Sequence, residues 1–152
     1  MKIESVLFVC HGNICRSPMA EFVMRDLLRR SGRTDVHVES CATSTEEIGS
    51  DTYPPVKDVL KRHGVPFSPR RARRITCDDY ARFDLIVAMD DENLRNTRRF
   101  TDGDPEGKVR LLMSFTGEDR GVADPWYTGD FEETYSDVSR ACAEILAHLD
   151  SD

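Results

Sequence analysis

What this chain has little of narrows the field first. No apolar run approaches the roughly 20 residues that a membrane-spanning helix needs. The opening "MKIESVLFVC" has one lysine and an interrupting glutamate, and its apolar stretch is too short for a secretory signal. Positive charge is in deficit: 21 Lys and Arg stand against 28 Asp and Glu, a net charge of −7. That balance disfavours a nucleic-acid partner and supplies no general attraction for an anion, so any anion site must be built locally. Histidines number four and cysteines five, scattered and without CxxC spacing. An odd, unpaired set argues against a secreted disulfide framework and for reduced thiols in the cytoplasm, and no further His/Cys cluster completes a metal site. Repeats, linkers and low-complexity tracts are also missing. The 152 residues, 39% hydrophobic and 32% charged, therefore suit one folded domain over 1–152.

What is present alternates between strand and helix signals. Val6 to Val9 is a continuous apolar run of strand length, the pattern of a strand buried on both faces. Ser17 can serve as an N-cap with Pro18 opening the helix. Ala20, Val23, Met24, Leu27 and Leu28 follow at helical spacing, and Gly32 is placed to end it. "VHVESCATS" reads as a second strand, "PPVKDVLKRHG" as a short helix closed by Gly64, and "TCDDYARF" as a helical turn behind Thr76. "DLIVAMD" is a third buried strand followed by a helix, "VRLLMSF" a fourth, and 116–130 a polar loop. Phe131 to Leu149 forms a long closing helix. This order predicts an α/β fold, an open four-stranded parallel sheet with helices on both faces. Strand-to-helix loops of such a sheet gather at its carboxyl edge, where ligands bind.

The first of those loops, "CHGNICRS", has the parts of an anion cradle. A turn that feeds a helix amino end directs backbone N–H groups inward. Gly12 permits backbone angles that most residues resist, and Asn13 is among the few others that tolerate them. Arg16 adds a planar fork for two oxygens of a tetrahedral oxyanion. Cys10, at the strand end beneath this positive field, is favoured as a thiolate and so as an in-line nucleophile at phosphorus. Ser17 can also donate a hydrogen bond to the sulfur and help it leave. The plainer reading, a buried strand-end cysteine with an unrelated surface arginine, fits the Gly-Asn turn and Ser-Pro start poorly.

The stretch "VLFVCHGNICRSPMAE" resembles the signature of the low-molecular-weight protein tyrosine phosphatases. The likeness continues through "ESCATSTEEIG", "LKRHGVPFS", "FDLIVAMDDENL" and "DPWYTGDFEETY", nearly the whole chain. The resemblance implies hydrolysis of phosphotyrosine in proteins through phosphocysteine, without metal or cofactor. It implies Cys10 as nucleophile, Arg16 as phosphate-binding arginine and Asp124 as general acid. Phosphate would lie in the loop of His11, Gly12, Asn13, Ile14, Cys15, Arg16 and Ser17, with Asn13, Ser17 and Ser40 holding its shape. Inorganic phosphate and other oxyanions would inhibit; neither nucleic acid nor membrane is expected as a partner.

Asp124 also has a case of its own. Cleaving phosphotyrosine releases a phenolate whose conjugate acid has a pKa of about 10, so a proton donor helps. "ADPWYTGD" offers a carboxyl on the loop after the last strand, with Trp126 and Tyr127 as aromatic faces for the substrate ring. Asp-Pro is also a common turn opener, and Asp90, ending the third strand on the same edge, competes for the role. Asp90 fits better as a brace for the loop or a cap for the next helix.

Departures from the family pattern mark further questions. In relatives a cysteine at the position of Cys15 can trap an oxidised nucleophile as a disulfide; a small residue packed under the loop is the equal alternative. His11 and Glu46 stand where relatives often carry apolar or aromatic wall residues. "SPRRARRI" lacks a histidine that commonly braces the loop, leaving that brace absent or replaced by Arg70. The four arginines between 70 and 74 read as a solvated charged face. Trp126 replaces the first tyrosine of the usual pair. Three other functions share the fold or loop: a protein arginine phosphatase, a thiol-coupled arsenate reductase and a non-catalytic phosphoprotein binder. Ile14 stands where arginine-specific relatives have threonine. No close cysteine pair follows Cys77 to relay oxidation, and Cys10, Arg16 and Asp124 are all retained.

Overall fold

Four strands lie parallel in the order β2-β1-β3-β4 in the computed structural model, which describes residues 2–150. They are β1 (Ser5–Cys10), β2 (His37–Ala42), β3 (Leu85–Ala88) and β4 (Val109–Leu111). The helices are α1 (Arg16–Arg30), α2 (Pro54–Arg62), α3 (Cys77–Arg82), α4 (Asp91–Arg98), α5 (Pro125–Thr128) and α6 (Phe131–His148). Val6, Phe8 and Cys10 face one apolar cluster built with α1, α2 and α6, including Met19, Val59 and Ile145. Leu7 and Val9 face another with Ile75, Phe83 and Ile86, flanked by Tyr80 of α3 and Phe100 just beyond α4. Covered on both sides, β1 has no face to leave polar, which is why its apolar run is unbroken. Among the described residues no helix is long and apolar enough to cross a membrane.

Two sequence expectations fail at element ends. Ser17 does not cap α1: the helix starts at Arg16, and the boundary residue Cys15 makes no side-chain cap. The Ser17 hydroxyl is turned inward to the loop instead, and Pro18 remains in the first turn, where its missing N–H costs no helical bond. The fourth strand stops at Leu111, and Leu112–Thr116 winds into a 3₁₀ turn. Leu112 and Met113 bury against the α6 side of the core. Ser114 donates to Leu111 O (2.6 Å) and Thr116 to Met113 O (2.7 Å), so this turn satisfies its carbonyls locally rather than through a neighbouring strand. The polar loop 116–130 likewise contains α5, capped by Asp124 and closed by Gly129 at φ 71°.

Short α3 depends on one carboxylate. Asp79, fully buried, accepts from Thr76 N (2.8 Å) in a capping box and pairs with Arg73 (2.9 Å) and Arg82 (3.3 Å). Burial alone would raise its pKa, but the bonds from Arg73 and Thr76 hold it below the ordinary carboxylate range. Its contribution is therefore complete above the unfolded value of about 3.9 and is lost as pH falls through the lower native value. Asp79→Asn should cost on the order of 2 kcal/mol in denaturant unfolding at neutral pH, with a deficit that shrinks in acid. A deficit equal at pH 7 and pH 3 would contradict this role.

Candidate active site

The sheet's carboxyl edge brings together the loop after β1, the end of β2, Asp90 after β3 and the segment leading to α5. Cys10 is the last residue of β1 and is buried. Its Sγ lies 2.9 Å from Ser17 Oγ and accepts from Asn13 N at 3.3 Å. Ser17 Oγ accepts from Asn13 Nδ2 (2.8 Å), which leaves the serine hydrogen available to the sulfur.

Asn13 is the hub of the loop. It has φ 59°, in the left-handed region that asparagine tolerates, and it is fully buried. Gly12 does not occupy that region, contrary to the sequence argument, so its Cβ-free backbone is not what turns the loop. Asn13 Nδ2 also donates to Ser40 Oγ (2.9 Å), which passes its own hydrogen to buried Glu21 (2.5 Å). Arg70 donates through Nη1 to Asn13 O (2.8 Å) and through Nη2 to Asn13 Oδ1, which also accepts from Arg73 N (3.3 Å). The amide can point only one way, since reversal would set its NH₂ against a guanidinium. The brace left open in the sequence is thus present and is Arg70.

Arg16 is just as constrained. The residue is 2% exposed, and its guanidinium donates to Asp90 Oδ2 (2.7 Å) and Val122 O (2.8 Å), with Asp124 Oδ2 at 3.4 Å. Burial works against the charge, but the Cys10 sulfur, Asp90 and Asp124 outweigh it and hold the arginine above its ordinary pKa. Asp90 both braces Arg16 and caps α4, accepting from Asn93 N at 2.8 Å. Asp124 accepts from Trp126 N at 3.1 Å and, unlike Asp90, lines the cleft above Cys10.

That cleft, of about 140 Å³, is lined by Cys10, His11, Gly12, Ile14, Cys15, Arg16, Glu46, Glu47, Asp124, Trp126 and Tyr127. Asn13 and Ser17, expected among the phosphate contacts, are fully buried and outside its lining; they support the loop from behind. His11 Nε2 is 3.0 Å from Glu46 Oε2 across the opening. Trp126 leans on Tyr53, ring centroids 5.0 Å apart, while Tyr127 is 85% exposed. Cys15 is a free thiol whose pKa is pushed up to about 12, first by burial and then by Cys10 and Asp124. Among the described residues no group of three or more His, Cys, Asp or Glu side chains is arranged to hold a metal ion.

Several contributors escaped the sequence reading. The arginines of 70–74 are not one solvated face: Arg70 holds Asn13, Arg73 pairs with Glu39 and Asp79, and Arg74 lies over the Phe100 ring at 5.4 Å. Glu21 could have been noticed as a charge set between Ala20 and Phe22 on a buried helix face. Glu47 and the Val122 carbonyl carry no local signal.

Known proteins resemble the chain along its length. The family model for low molecular weight phosphotyrosine protein phosphatase matches residues 5–152. The human low molecular weight phosphotyrosine protein phosphatase is 41% identical over 149 residues, covering 94% of each chain. The crystal structure of YfkJ from Bacillus subtilis superposes with a TM-score of 0.92 at 34% identity, covering 98% of this chain and 96% of that one. A drosophila arginine phosphatase structure gives a TM-score of 0.88 at 31% identity, covering 100% and 99%. By its fold, and by matches that run from β1 through α6, the chain belongs to the low molecular weight protein tyrosine phosphatase family.

Proposed function

We propose that this phosphatase hydrolyses phosphotyrosine in proteins by two successive displacements at phosphorus, acting as one domain in the cytoplasm. The observation that carries the reading is the Cys10 sulfur, with the Ser17 hydroxyl at 2.9 Å and the Asn13 N–H at 3.3 Å, in a cleft shared with Arg16 and Asp124. In the first step the Cys10 thiolate attacks phosphorus and the bond to the tyrosyl oxygen breaks. Asp124, as the carboxylic acid, gives its proton to the departing phenolic oxygen. Arg16 holds two phosphoryl oxygens with its fork, and N–H groups of the loop residues that line the cleft hold the rest. In the second step Asp124, now a carboxylate, takes a proton from water as that water attacks the phosphocysteine. The P–S bond breaks, the thiolate leaves against the Ser17 hydroxyl, and inorganic phosphate is released. Phosphate and vanadate, which match the same cradle, are expected inhibitors.

Substrate choice follows from the opening. Trp126 and Tyr127 line it and provide faces for an aromatic ring. The branched Ile14, on the same lining, narrows the space for a guanidino group. A second reading, phosphoarginine hydrolysis, is favoured only by the similarity to the drosophila arginine phosphatase. Cys15 suits a protective role: peroxide converts the Cys10 thiolate to a sulfenic acid, and Cys15 sulfur displaces hydroxide from it, which leaves as water with the Cys15 proton.

Cys10→Ser should abolish turnover while vanadate still binds. Asp124→Asn should slow phosphotyrosine hydrolysis by about 10²–10⁴ and an ester with an acidic phenol far less; equal losses would exclude Asp124 as the acid. Side-by-side turnover of phosphotyrosine, phosphoserine and phosphoarginine tests the substrate class, and a preference for phosphoarginine would replace the reading.

Because burial keeps Cys15 protonated near neutrality, iodoacetamide at pH 7 should spare it in the Cys10→Ser protein while exposed Cys77 is alkylated. Labelling of Cys15 as fast as Cys77, read by peptide mass spectrometry, would contradict that.

A further inference from the structure

The segment 121–124, which carries Asp124, is seated by contacts outside the roles described so far. At Gly121 an added Cβ would stand 2.7 Å from Asp90 Cβ, 3.0 Å from Asp90 Cα and 3.3 Å from Met89 O. The Gly121 φ is not among the positive values, so the position demands space rather than an unusual backbone angle. Asp90 cannot yield, since one carboxylate oxygen holds Arg16 at 2.7 Å and the other accepts from Asn93 N at 2.8 Å. The next residue continues the seam: Val122 N donates to Met89 O (2.8 Å), and Val122 O accepts from Arg16 (2.8 Å). From the opposite side, the buried Thr134 hydroxyl on α6 lies 3.4 Å from Ala123 O and 3.3 Å from Asp130 O and shares its one hydrogen between them.

Resting on the reading of Asp124 as proton donor, we infer that Gly121, backed by Thr134, is a positioning residue that sets where the Asp124 carboxyl meets the leaving oxygen. A side chain at 121 forces the segment off Met89 and Asp90, since 2.7 Å must open to at least the 3.4 Å of ordinary contact. Asp124 follows three residues later and moves with it. Displacements near 1 Å can cost on the order of 10²-fold when geometry governs a step. The sulfur is insulated from this shift, because Ser17 and Asn13 hold it through Ser40, Arg70 and Arg73, none of which is hydrogen-bonded to 121–124. Arg16 loses the Val122 carbonyl and its 3.4 Å contact with Asp124 but retains Asp90 at 2.7 Å. The consequence is selective: attack at phosphorus survives while proton delivery fails.

The test compares kcat on phosphotyrosine with kcat on 2,4-dinitrophenyl phosphate, whose phenolate leaves without a proton. Gly121→Ala, shown folded by its melting transition, should lose about tenfold or more on phosphotyrosine and under about threefold on the dinitrophenyl ester. Equal losses on both esters, or no loss on either, would overturn the inference. If Gly121→Ala does not fold, Thr134→Val decides, because it removes the hydroxyl at nearly constant volume. It should lose about threefold on phosphotyrosine alone, and an equal or absent loss would again overturn the inference. Asp124→Asn is the reference. If it fails to separate the two esters, the acid assignment falls and the inference with it. If it separates them and the Gly121 variant does not, only the positioning role falls.

Discussion

A buried amide must have its donors and acceptors filled, and at Asn13 that requirement draws on four residues from three separate parts of the chain. Ser17 from α1, Ser40 from β2 and the Arg73 backbone each meet one side-chain atom of this residue, and the Arg70 side chain meets both its carbonyl and its amide oxygen. Hydrogen bonds involving an ionised partner contribute about 1.5–3 kcal/mol each, and an unfilled buried group costs a similar amount. The left-handed turn at Asn13 is therefore fixed by its surroundings, not merely tolerated by its residue type. With the turn fixed, its N–H and the Ser17 hydroxyl both meet the Cys10 sulfur. Both residues are fully buried, so these donors are already in place at the sulfur without substrate.

Arg16 does for the rest of the cleft what Asn13 does for the loop. One guanidinium ties the amino end of α1 to Asp90 beyond β3 and to Val122 on the segment that brings Asp124. Loop, strand end and acid segment thus share one cation, and residues more than 100 positions apart are held within a few ångströms. In a chain of net charge −7 this concentrates positive charge on one buried guanidinium, while Glu46 and Glu47 stand on the lining of the same cleft.

How much of this was legible in the sequence depends on whether the cause was local. The β1 run reflects burial on both faces, and Gly32 and Gly64 end helices at φ 71° and 70°, as their placement implied. The parallel sheet and the meeting of Cys10, Arg16 and Asp124 at one edge also follow from local signals joined by topology. Ser17 misled because a hydroxyl at a helix start has two uses, and only the tertiary network selects the inward one. Gly12 misled because glycine and asparagine side by side are equally able to turn the chain. The short β4 was hidden because apolar residues bury equally well in a strand or in a turn packed on α6. Arg70 stood in the sequence as one of two possibilities for the brace, and its contact with Asn13 decides between them. Gly121 gave no signal at all, as its constraint is a contact with Asp90, 31 positions away.

The central claim is that the Cys10 sulfur, fixed under the loop by Asn13 and Ser17, bonds covalently to phosphorus during turnover. Rapid acid quenching of the enzyme with isotopically labelled phosphotyrosine substrate, followed by peptide mapping, tests it most directly. The account predicts transient label bound through sulfur on the peptide containing Cys10, appearing before free phosphate. Turnover with no covalent label, or with label on any other residue, would contradict it.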